Sequence, residues 1–81
     1  MQIREILARN LRKARHERKL SQEALAHEAG VDRTYISALE RSVYSATIDM
    51  VDKLARVLDV EASALLQRSP KPERTKARLR P

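Results

Sequence analysis

The chain has 81 residues, of which 17 are Lys or Arg and 11 are Asp or Glu, giving a formal net charge of +6. It contains no cysteine, which excludes disulfides and thiolate metal sites, and its length fits one small domain without room for a large catalytic cleft. Its start, MQIREILARN, lacks the continuous apolar stretch of a signal peptide, and no segment resembles a transmembrane span, so we expect a cytoplasmic protein.

The positive charge is concentrated at the C-terminal end. Residues 1–66 carry 11 basic and 10 acidic side chains, whereas residues 67–81 carry 6 basic and 1 acidic. The second segment also holds all three prolines and few apolar residues, so it cannot bury enough surface to offset the loss of chain entropy. We therefore expect a folded domain over 1–66 and a basic, disordered tail over 67–81.

The folded part is predicted to be all-α, because with no Phe or Trp and only two Tyr its core must be built from Leu, Ile, Val and Ala. Spacings of three and four predict a first helix over 2–18, with one apolar stripe formed by Ile3, Ile6, Leu7, Leu11 and Ala14. Ser21 is a suitable N-cap for a second helix over 22–29. That helix is predicted to end at Gly30, the single glycine, in the left-handed conformation.

A third helix is predicted over 33–40 with Asp32 as its cap, and with the second helix it forms a helix-turn-helix. This motif needs a small residue where the helices cross, a sharp turn and an apolar lock. Ala26 and Gly30 supply the small residue and the turn. The residues available for the lock are Leu25, Val31, Ile36 and Leu39. The coincidence of these constraints within 22–41 favours DNA reading by the exposed face of the third helix.

A fourth helix is predicted to begin at Thr47, with Asp49 in its first turn. Its predicted inward stripe consists of Ile48, Val51, Leu54, Ala55 and Leu58. A break at 59–60 then precedes a short fifth helix that contains Leu65 and Leu66. The sequence thus predicts five helices within its first 66 residues.

The stretch LSQEALAHEAGVDRTYISALER, followed by IDMVDKLARVLDV, resembles the Cro and phage-repressor-type (XRE family) helix-turn-helix regulators over roughly residues 3–66. DRTYIS followed by LER is most similar to restriction-modification controller proteins and related regulators on mobile elements. The resemblance implies a compact five-helix lambda-repressor-like domain. It further implies a homodimer that binds palindromic operators in double-stranded DNA and controls its own promoter by repression, activation or both, without a cofactor, a membrane or a small-molecule ligand.

The first residues of the third helix lie deepest in a major groove when this motif docks, so Arg33 and Thr34 are the predicted base readers. Arg33 can span O6 and N7 of a guanine; the alternative is a phosphate contact or a solvated side chain. Ser37 and Ala38, one turn further on, are additional candidates for base contacts. Ala38 is equally suited to be a small residue that permits close approach.

A second set of residues is predicted to contact the DNA backbone. Gln22 begins the second helix, where backbone donors and the helix dipole favour a phosphate, and the resemblance implies that this glutamine fixes the helix on the sugar-phosphate strand. The alternative for Gln22 is a good helix former after the cap. The other members are Tyr35, which can also brace the recognition helix, and the loop residues Arg41, Ser42, Tyr44 and Ser45. Relatives commonly have glycine at position 42 and proline near position 46, so this chain departs from the family at Ser42 and Ala46.

Arg15 near the end of the first helix and Glu40 at the end of the third match positions that pair in repressor relatives. A buried pair would orient the third helix against the first, and the loss of one partner would strand a charge. The alternative is two exposed side chains that contribute almost nothing to stability.

Met50 and Val57 lie seven residues apart on the fourth helix and form a second apolar stripe. Together with Leu65 and Leu66 they are predicted to make a two-fold dimer contact, which would place two recognition helices about 34 Å apart. The alternative is that these four residues complete the core of the monomer.

Other classes of function have less support. His16 and His27 each precede a glutamate, but neither has a second histidine four residues on, so the HExxH zinc arrangement is missing. With no cysteine nucleophile and no phosphate-binding glycine loop, we predict neither a catalytic nor a metal site. A protein-binding module, such as an antitoxin or a partner of another regulator, is the alternative function, with DNA binding secondary. The tail over 67–81 either holds phosphates or takes no part in binding.

Overall fold

The computed structural model describes residues 2–68, and these form five helices. The helices are α1 (Ile3–Glu17), α2 (Gln22–Ala29), α3 (Arg33–Glu40), α4 (Ile48–Leu58) and α5 (Ala62–Leu65). Helix α1 packs against α3 and α5, α2 packs against α3 and α4, and α4 also packs against α5. The predicted all-α fold with a helix-turn-helix at its second and third helices is confirmed. Of the tail predicted to be disordered over 67–81, residues 69–81 lie outside the described residues.

Branched aliphatic side chains from all five helices fill one core. The largest fully buried side chains are Ile6, Leu11, Leu25, Ile36, Leu39, Leu54, Leu58 and Leu65. Burying each of them contributes about 1.5 to 3 kcal/mol relative to leaving it exposed. The eight come from every helix, so the core ties α2 and α3 to the rest of the domain. None of the helices within residues 2–68 is both long and apolar enough to cross a membrane.

The crossing of α2 and α3 has the predicted small residue and the predicted turn. Ala26 is 2% exposed at the crossing, and Leu25 and Ile36 beside it are fully buried. Gly30 has a φ of 72°, and a Cβ at this position would lie 3.8 Å from the Lys53 Nζ atom. Space for a side chain is therefore available, and the left-handed backbone is what favours glycine here.

Helices α1 to α4 have the same type of C-terminal cap. In each, a residue in the left-handed region is followed by a backbone N–H that donates to the carbonyl five residues earlier, at 2.9 to 3.0 Å. The left-handed residues are Lys19 (φ 58°), Gly30 (φ 72°), Ser42 (φ 63°) and Asp59 (φ 59°). Three of these four positions therefore carry the steric cost that a Cβ imposes in this conformation.

Replacing Ser42 with glycine is expected to raise the free energy of unfolding. Glycine removes the steric cost of the left-handed conformation in the folded state, roughly 1 to 2 kcal/mol. This gain exceeds the free-energy cost of ordering the more flexible glycine, so the expected net gain in the free energy of unfolding is about 0.5 to 1 kcal/mol. Urea denaturation measures it. The matched control is Arg41→Gly: Arg41 has a φ of −98°, so glycine relieves nothing there and should lower stability. A Ser42→Gly variant less stable than the wild type would contradict the prediction.

Three local predictions need correction. Ile3 and Ile48 were expected on inward stripes, but they are 52% and 86% exposed. Each is the first residue of its helix. Periodicity places its side chain on the inward face of the helix, but no other element of the described chain covers that end of the face. Asp32 occupies the N-cap position of α3, yet its side chain accepts no capping hydrogen bond, because the exposed carboxylate can bond to water at little cost. Ser21 does act as predicted, since its Oγ accepts a 3.0 Å hydrogen bond from the Ala24 backbone N–H.

Candidate nucleic-acid interface

Helix α3 has one face in the core and one face in solvent. Its buried residues are Ile36, Ala38, Leu39 and Glu40. Arg33 and Thr34 are exposed and Ser37 is half-buried on the opposite side, so these three predicted base contacts share one outward face. Ala38 is only 6% exposed and offers a base almost no surface. Its burial favours the alternative interpretation, a small residue that lets α3 pack closely.

The outward face continues past the end of the helix. Arg33, Ser37 and Arg41 are spaced four residues apart and therefore follow one line along α3. The Arg41 Nε donates to the Ser37 Oγ at 3.4 Å, a long contact between exposed groups. The line thus carries two guanidinium groups with a hydroxyl between them, all of which can bond to base edges or phosphates.

The loop after α3 is tied to the helix by an aromatic contact. The rings of Tyr35 and Tyr44 have centroids 6.2 Å apart and are tilted by 42°, within the range of favourable aromatic pairs. Tyr35 packs against the core, whereas Tyr44 is 54% exposed. Ser42 is half-buried and Ser45 is exposed. The loop residues predicted to contact the DNA backbone therefore follow the recognition helix directly.

Arg15 and Glu40 form a buried, two-pronged ion pair. The Arg15 Nε lies 2.7 Å from the Glu40 Oε2, and the Arg15 Nη2 lies 3.0 Å from the Glu40 Oε1. The two residues are 8% and 5% exposed. Of the two arrangements that the sequence leaves open, the structure has the buried one. The pair joins α1 to the last residue of α3.

Glu40 receives further donors from α1 and α2. The Gln22 Nε2 donates to the Glu40 Oε1 at 3.1 Å, and the Arg12 Nη1 donates to the Glu40 backbone carbonyl at 2.9 Å. Sequence reasoning missed Arg12. Its spacing of three residues from Arg15 places both on one face of α1, which was the available signal. We call Arg12, Arg15, Gln22 and Glu40 the Glu40 cluster.

The Glu40 cluster changes the interpretation of Gln22. One amide hydrogen of this side chain is used within the protein, so a phosphate at the start of α2 would be held by the second amide hydrogen and by backbone N–H groups. Gln22 is half-buried, which leaves its amide accessible to a ligand. A single side chain can therefore connect a bound phosphate to the end of α3.

The residues predicted at a dimer contact do not share one environment. Met50 and Val57 are partly buried and pack against the core. Leu65 is 1% exposed and completes the core of the single chain, so it has no surface left for a dimer contact. Leu66 is 39% exposed. The burial of Leu65 favours the alternative that it completes the core of the monomer, and both residues of the stripe on α4 lie partly buried against the same core.

Residues 11–65, which include α2, α3 and α4, match the helix-turn-helix family HTH_3. The chain belongs to the HTH_3 family. This match confirms the resemblance inferred from the sequence, and the members of HTH_3 are transcription regulators rather than enzymes.

Several known proteins are similar to this chain over most of its length. A hypothetical transcription factor of Neisseria meningitidis is 42% identical over 64 residues, covering 79% of this chain and 60% of that protein. The control protein C.SmaI of Serratia marcescens is 43% identical over 68 residues, covering 84% of this chain and 81% of that protein. A crystal structure of SinR, the master regulator for biofilm formation, in complex with DNA has a TM-score of 0.72 at 32% identity and covers 75% of this chain and 98% of that chain. This chain thus spans less than two thirds of the Neisseria protein.

The ionisation of Glu40 stabilises the folded state of this domain. Burial raises the pKa of the Glu40 carboxyl, but the hydrogen bonds from Arg15 and Gln22 and the charges of Arg15 and Arg12 together outweigh burial, so the pKa lies below its ordinary value of 4.5. The folded state therefore favours the charged form of Glu40 more than the unfolded chain does.

Acidification is expected to remove this contribution. Because the pKa of Glu40 is lower in the folded state, its stabilisation is fully present above about pH 4.5 and is lost as the pH falls through the folded-state pKa. The matched variant Glu40→Gln has no titrating carboxyl. Urea denaturation across this range should show the wild type losing its advantage over Glu40→Gln as the pH decreases. An advantage that is independent of pH would contradict the prediction.

Proposed function

We propose that this HTH_3 protein is a sequence-specific DNA-binding transcriptional regulator. In this proposal, α3 enters the major groove and reads bases through Arg33 and Thr34, with Ser37 one turn behind them. Gln22 and the loop residues Tyr44 and Ser45 contact phosphates, as do Tyr35, Arg41 and Ser42. The protein binds palindromic operators as a homodimer and controls its own promoter by repression, activation or both.

The main support for this proposal is that α3 exposes a polar face while hydrogen bonds to α1 and α2 fix the end of the helix. Arg33 and Thr34 project into solvent, while the last residue of the helix is fixed to α1 and α2 by the Glu40 cluster. A reading helix must hold its donors in a defined register because bidentate contacts to base edges depend on geometry.

The charged groups of α3 and its caps are compatible with DNA binding by the exposed face of α3. Glu40 is neutralised by Arg15, so the exposed charged groups of α3 and its two caps are Arg33, Arg41 and Asp32. The net charge of this surface is small and positive. Phosphate binding would therefore depend on hydrogen-bond donors at the start of α2 and in the loop as well as on charge.

The size of the reading surface supports the proposed homodimer. An eight-residue recognition helix contacts only a few base pairs, too few to select one site among the many that a genome offers. Two copies related by a two-fold axis double the contacts and make the preferred site palindromic. The similarity to the control protein C.SmaI supports a regulatory role for this arrangement.

Fluorescence anisotropy with labelled duplexes tests the proposed function. The duplexes are the DNA upstream of the protein's own coding sequence and sequences selected from a randomised library. We expect binding at least about 1,000-fold tighter to a preferred site than to unrelated DNA at the same salt concentration. The control is the double variant Arg33→Ala, Thr34→Ala, which should fold but lose this preference. Equal binding of the wild type to all duplexes would reject the proposal.

A further inference from the structure

The charges of the folded domain are divided unequally along the chain. Residues 1–19 carry 7 basic and 2 acidic side chains, whereas residues 20–66 carry 4 basic and 8 acidic ones. Every charged side chain of the first group lies on α1 or in the two residues that follow it. The nearly neutral total over the first 66 residues therefore combines a strongly positive α1 with a negative remainder.

The positive helix lies beside the proposed reading helix. Helix α1 packs against α3 and α5. Helix α4, which carries Asp49 and Asp52 and ends at Asp59, packs mainly against α2 and α5. Since the positive charge is next to α3 and these acidic groups are on a helix that packs elsewhere, a polyanion at α3 is attracted most strongly on the side of α1.

Three exposed basic side chains of α1 share one face. Arg12 and Lys13 follow Arg9 by three and four residues, which places the three side chains next to one another on the helix. None of them forms an ion pair within the described part of the chain. Glu5 lies one turn before Arg9, and its carboxylate accepts a 2.9 Å hydrogen bond from the Gln2 backbone N–H. We call Arg9, Arg12 and Lys13 the basic face of α1.

Arg12 joins the basic face of α1 to the end of α3. Its Nη1 donates to the Glu40 backbone carbonyl at 2.9 Å, and a guanidinium group has five N–H donors. Because Arg12 is exposed, donors of its guanidinium are available to a ligand. Glu40 is followed directly by Arg41, a proposed phosphate contact. Arg12 and Arg41 therefore lie at the same end of the reading helix.

We propose that the basic face of α1 binds phosphates of the DNA strand that passes the end of α3. This inference rests on the proposed function and extends its surface to a further helix. Arg12 binds the phosphate nearest α3, and Arg9, one turn earlier on α1, binds a phosphate further along the same strand. Arginine suits this ligand because its planar guanidinium can donate two hydrogen bonds to one phosphate. Such contacts fix the position of the domain on the duplex without distinguishing bases.

The salt dependence of DNA binding tests this inference. Each phosphate contact that is lost should flatten the slope of log K against log salt concentration by about 0.9, because fewer counter-ions are released on binding. Relative to the wild type, the double variant Arg9→Gln, Arg12→Gln should have a slope flatter by about 1.8 and should bind at least about tenfold more weakly at about 0.15 M salt. Fluorescence anisotropy measures both quantities. Discrimination between a preferred site and its single-base variants should not change.

The matched control is the double variant Lys53→Gln, Arg56→Gln on α4. It lowers the net charge by the same amount at two other exposed positions, and its slope should equal that of the wild type. Equal flattening by the two double variants would mean that net charge alone determines the slope. An unchanged slope of the α1 variant would mean that no phosphate is bound by this face. Either result would overturn the inference.

A purely structural role of Arg12 predicts a different result. If Arg12 only supports the end of α3 through the Glu40 carbonyl, its loss should lower the free energy of unfolding, measured with urea, without flattening the slope. The single variant Arg9→Gln avoids this contact, because Arg9 takes no part in the Glu40 cluster. It should flatten the slope by about 0.9 with unchanged stability. A wild-type slope for Arg9→Gln would exclude Arg9 from the proposed contact and overturn the two-residue arrangement.

Binding to unrelated DNA also depends on salt, so the inference and the proposed function can fail separately. If the wild type binds all duplexes equally but the α1 variant still has the flatter slope, the proposed function fails and the phosphate contact of α1 stands. If the wild type selects a preferred site and the α1 variant keeps the wild-type slope, the contact of α1 fails and base reading by α3 stands.

Discussion

Replacing Glu40 with alanine is expected to lower the free energy of unfolding by about 3 to 5 kcal/mol, the largest effect that we expect from a single exposed or charged position. The substitution leaves the Arg15 guanidinium, 8% exposed, without a counter-ion. It also removes the acceptor of Gln22. Chemical denaturation at neutral pH measures the loss. The matched control is Asp52→Ala, which breaks the exposed Arg56–Asp52 pair at 3.1 Å and should cost less than about 0.5 kcal/mol.

A double-mutant cycle separates the ion pair from the loss of packing. The double variant Arg15→Met, Glu40→Leu should be close to the wild type in stability, because apolar residues of similar volume can replace a buried pair once both charges are gone. Each single variant should be much less stable than the double variant. A coupling energy near zero would mean that Arg15 and Glu40 do not act as a pair and that the stability of the α1–α3 contact has another origin.

Replacing Arg33 with alanine is expected to cost about 1 to 3 kcal/mol of binding free energy at a preferred DNA site and to relax discrimination at one base position. Arg33 is exposed at the first position of α3 and forms no ion pair within residues 2–68, so its removal should leave folding unchanged. Fluorescence anisotropy with the preferred duplex and its single-base variants measures both effects.

Two matched variants define the role of Arg33. Arg33→Lys retains the charge but lacks the planar fork, so it should lose discrimination at the same base while retaining phosphate attraction. Arg41→Ala should weaken binding to all sequences by a similar factor, as expected of a phosphate contact. If Arg33→Ala also weakens binding to all DNA sequences equally, Arg33 contacts a phosphate and the residue that reads the base lies elsewhere on α3.

Local sequence rules predicted the positions of the helices well. The boundaries of α2 follow from Ser21, which offers a side-chain acceptor, and from Gly30, which tolerates a left-handed backbone. Both signals act within a few residues and do not depend on the rest of the fold. The apolar lock of the helix-turn-helix was predictable for the same reason, because the spacing of Leu25, Ile36 and Leu39 defines the inward faces.

Residues whose roles depend on distant elements were harder to predict. Periodicity gave Ile48 an inward face, but whether anything covers that face depends on α1 and α5. Leu65 is the last residue of α5 and Leu66 is its C-cap, and only the packing of α5 determines that Leu65 is buried while Leu66 is exposed. Arg12 bonds to a carbonyl 28 positions away. These are tertiary contacts. The spacing of Arg12 and Arg15 places both on one face of α1, but no local pattern identifies their partner at the end of α3.

The two faces of α3 separate residues that maintain the fold from residues available to recognise a sequence. Substitutions at Arg33 and Thr34 touch neither the core nor the Glu40 cluster, so we expect them to change stability by no more than about 0.5 kcal/mol. If α3 reads bases as proposed, new DNA preferences are accessible through single substitutions that preserve the domain. Paralogous copies of such a regulator can diverge in the sites they recognise while retaining one scaffold, and two of them can operate in the same cell without binding each other's targets.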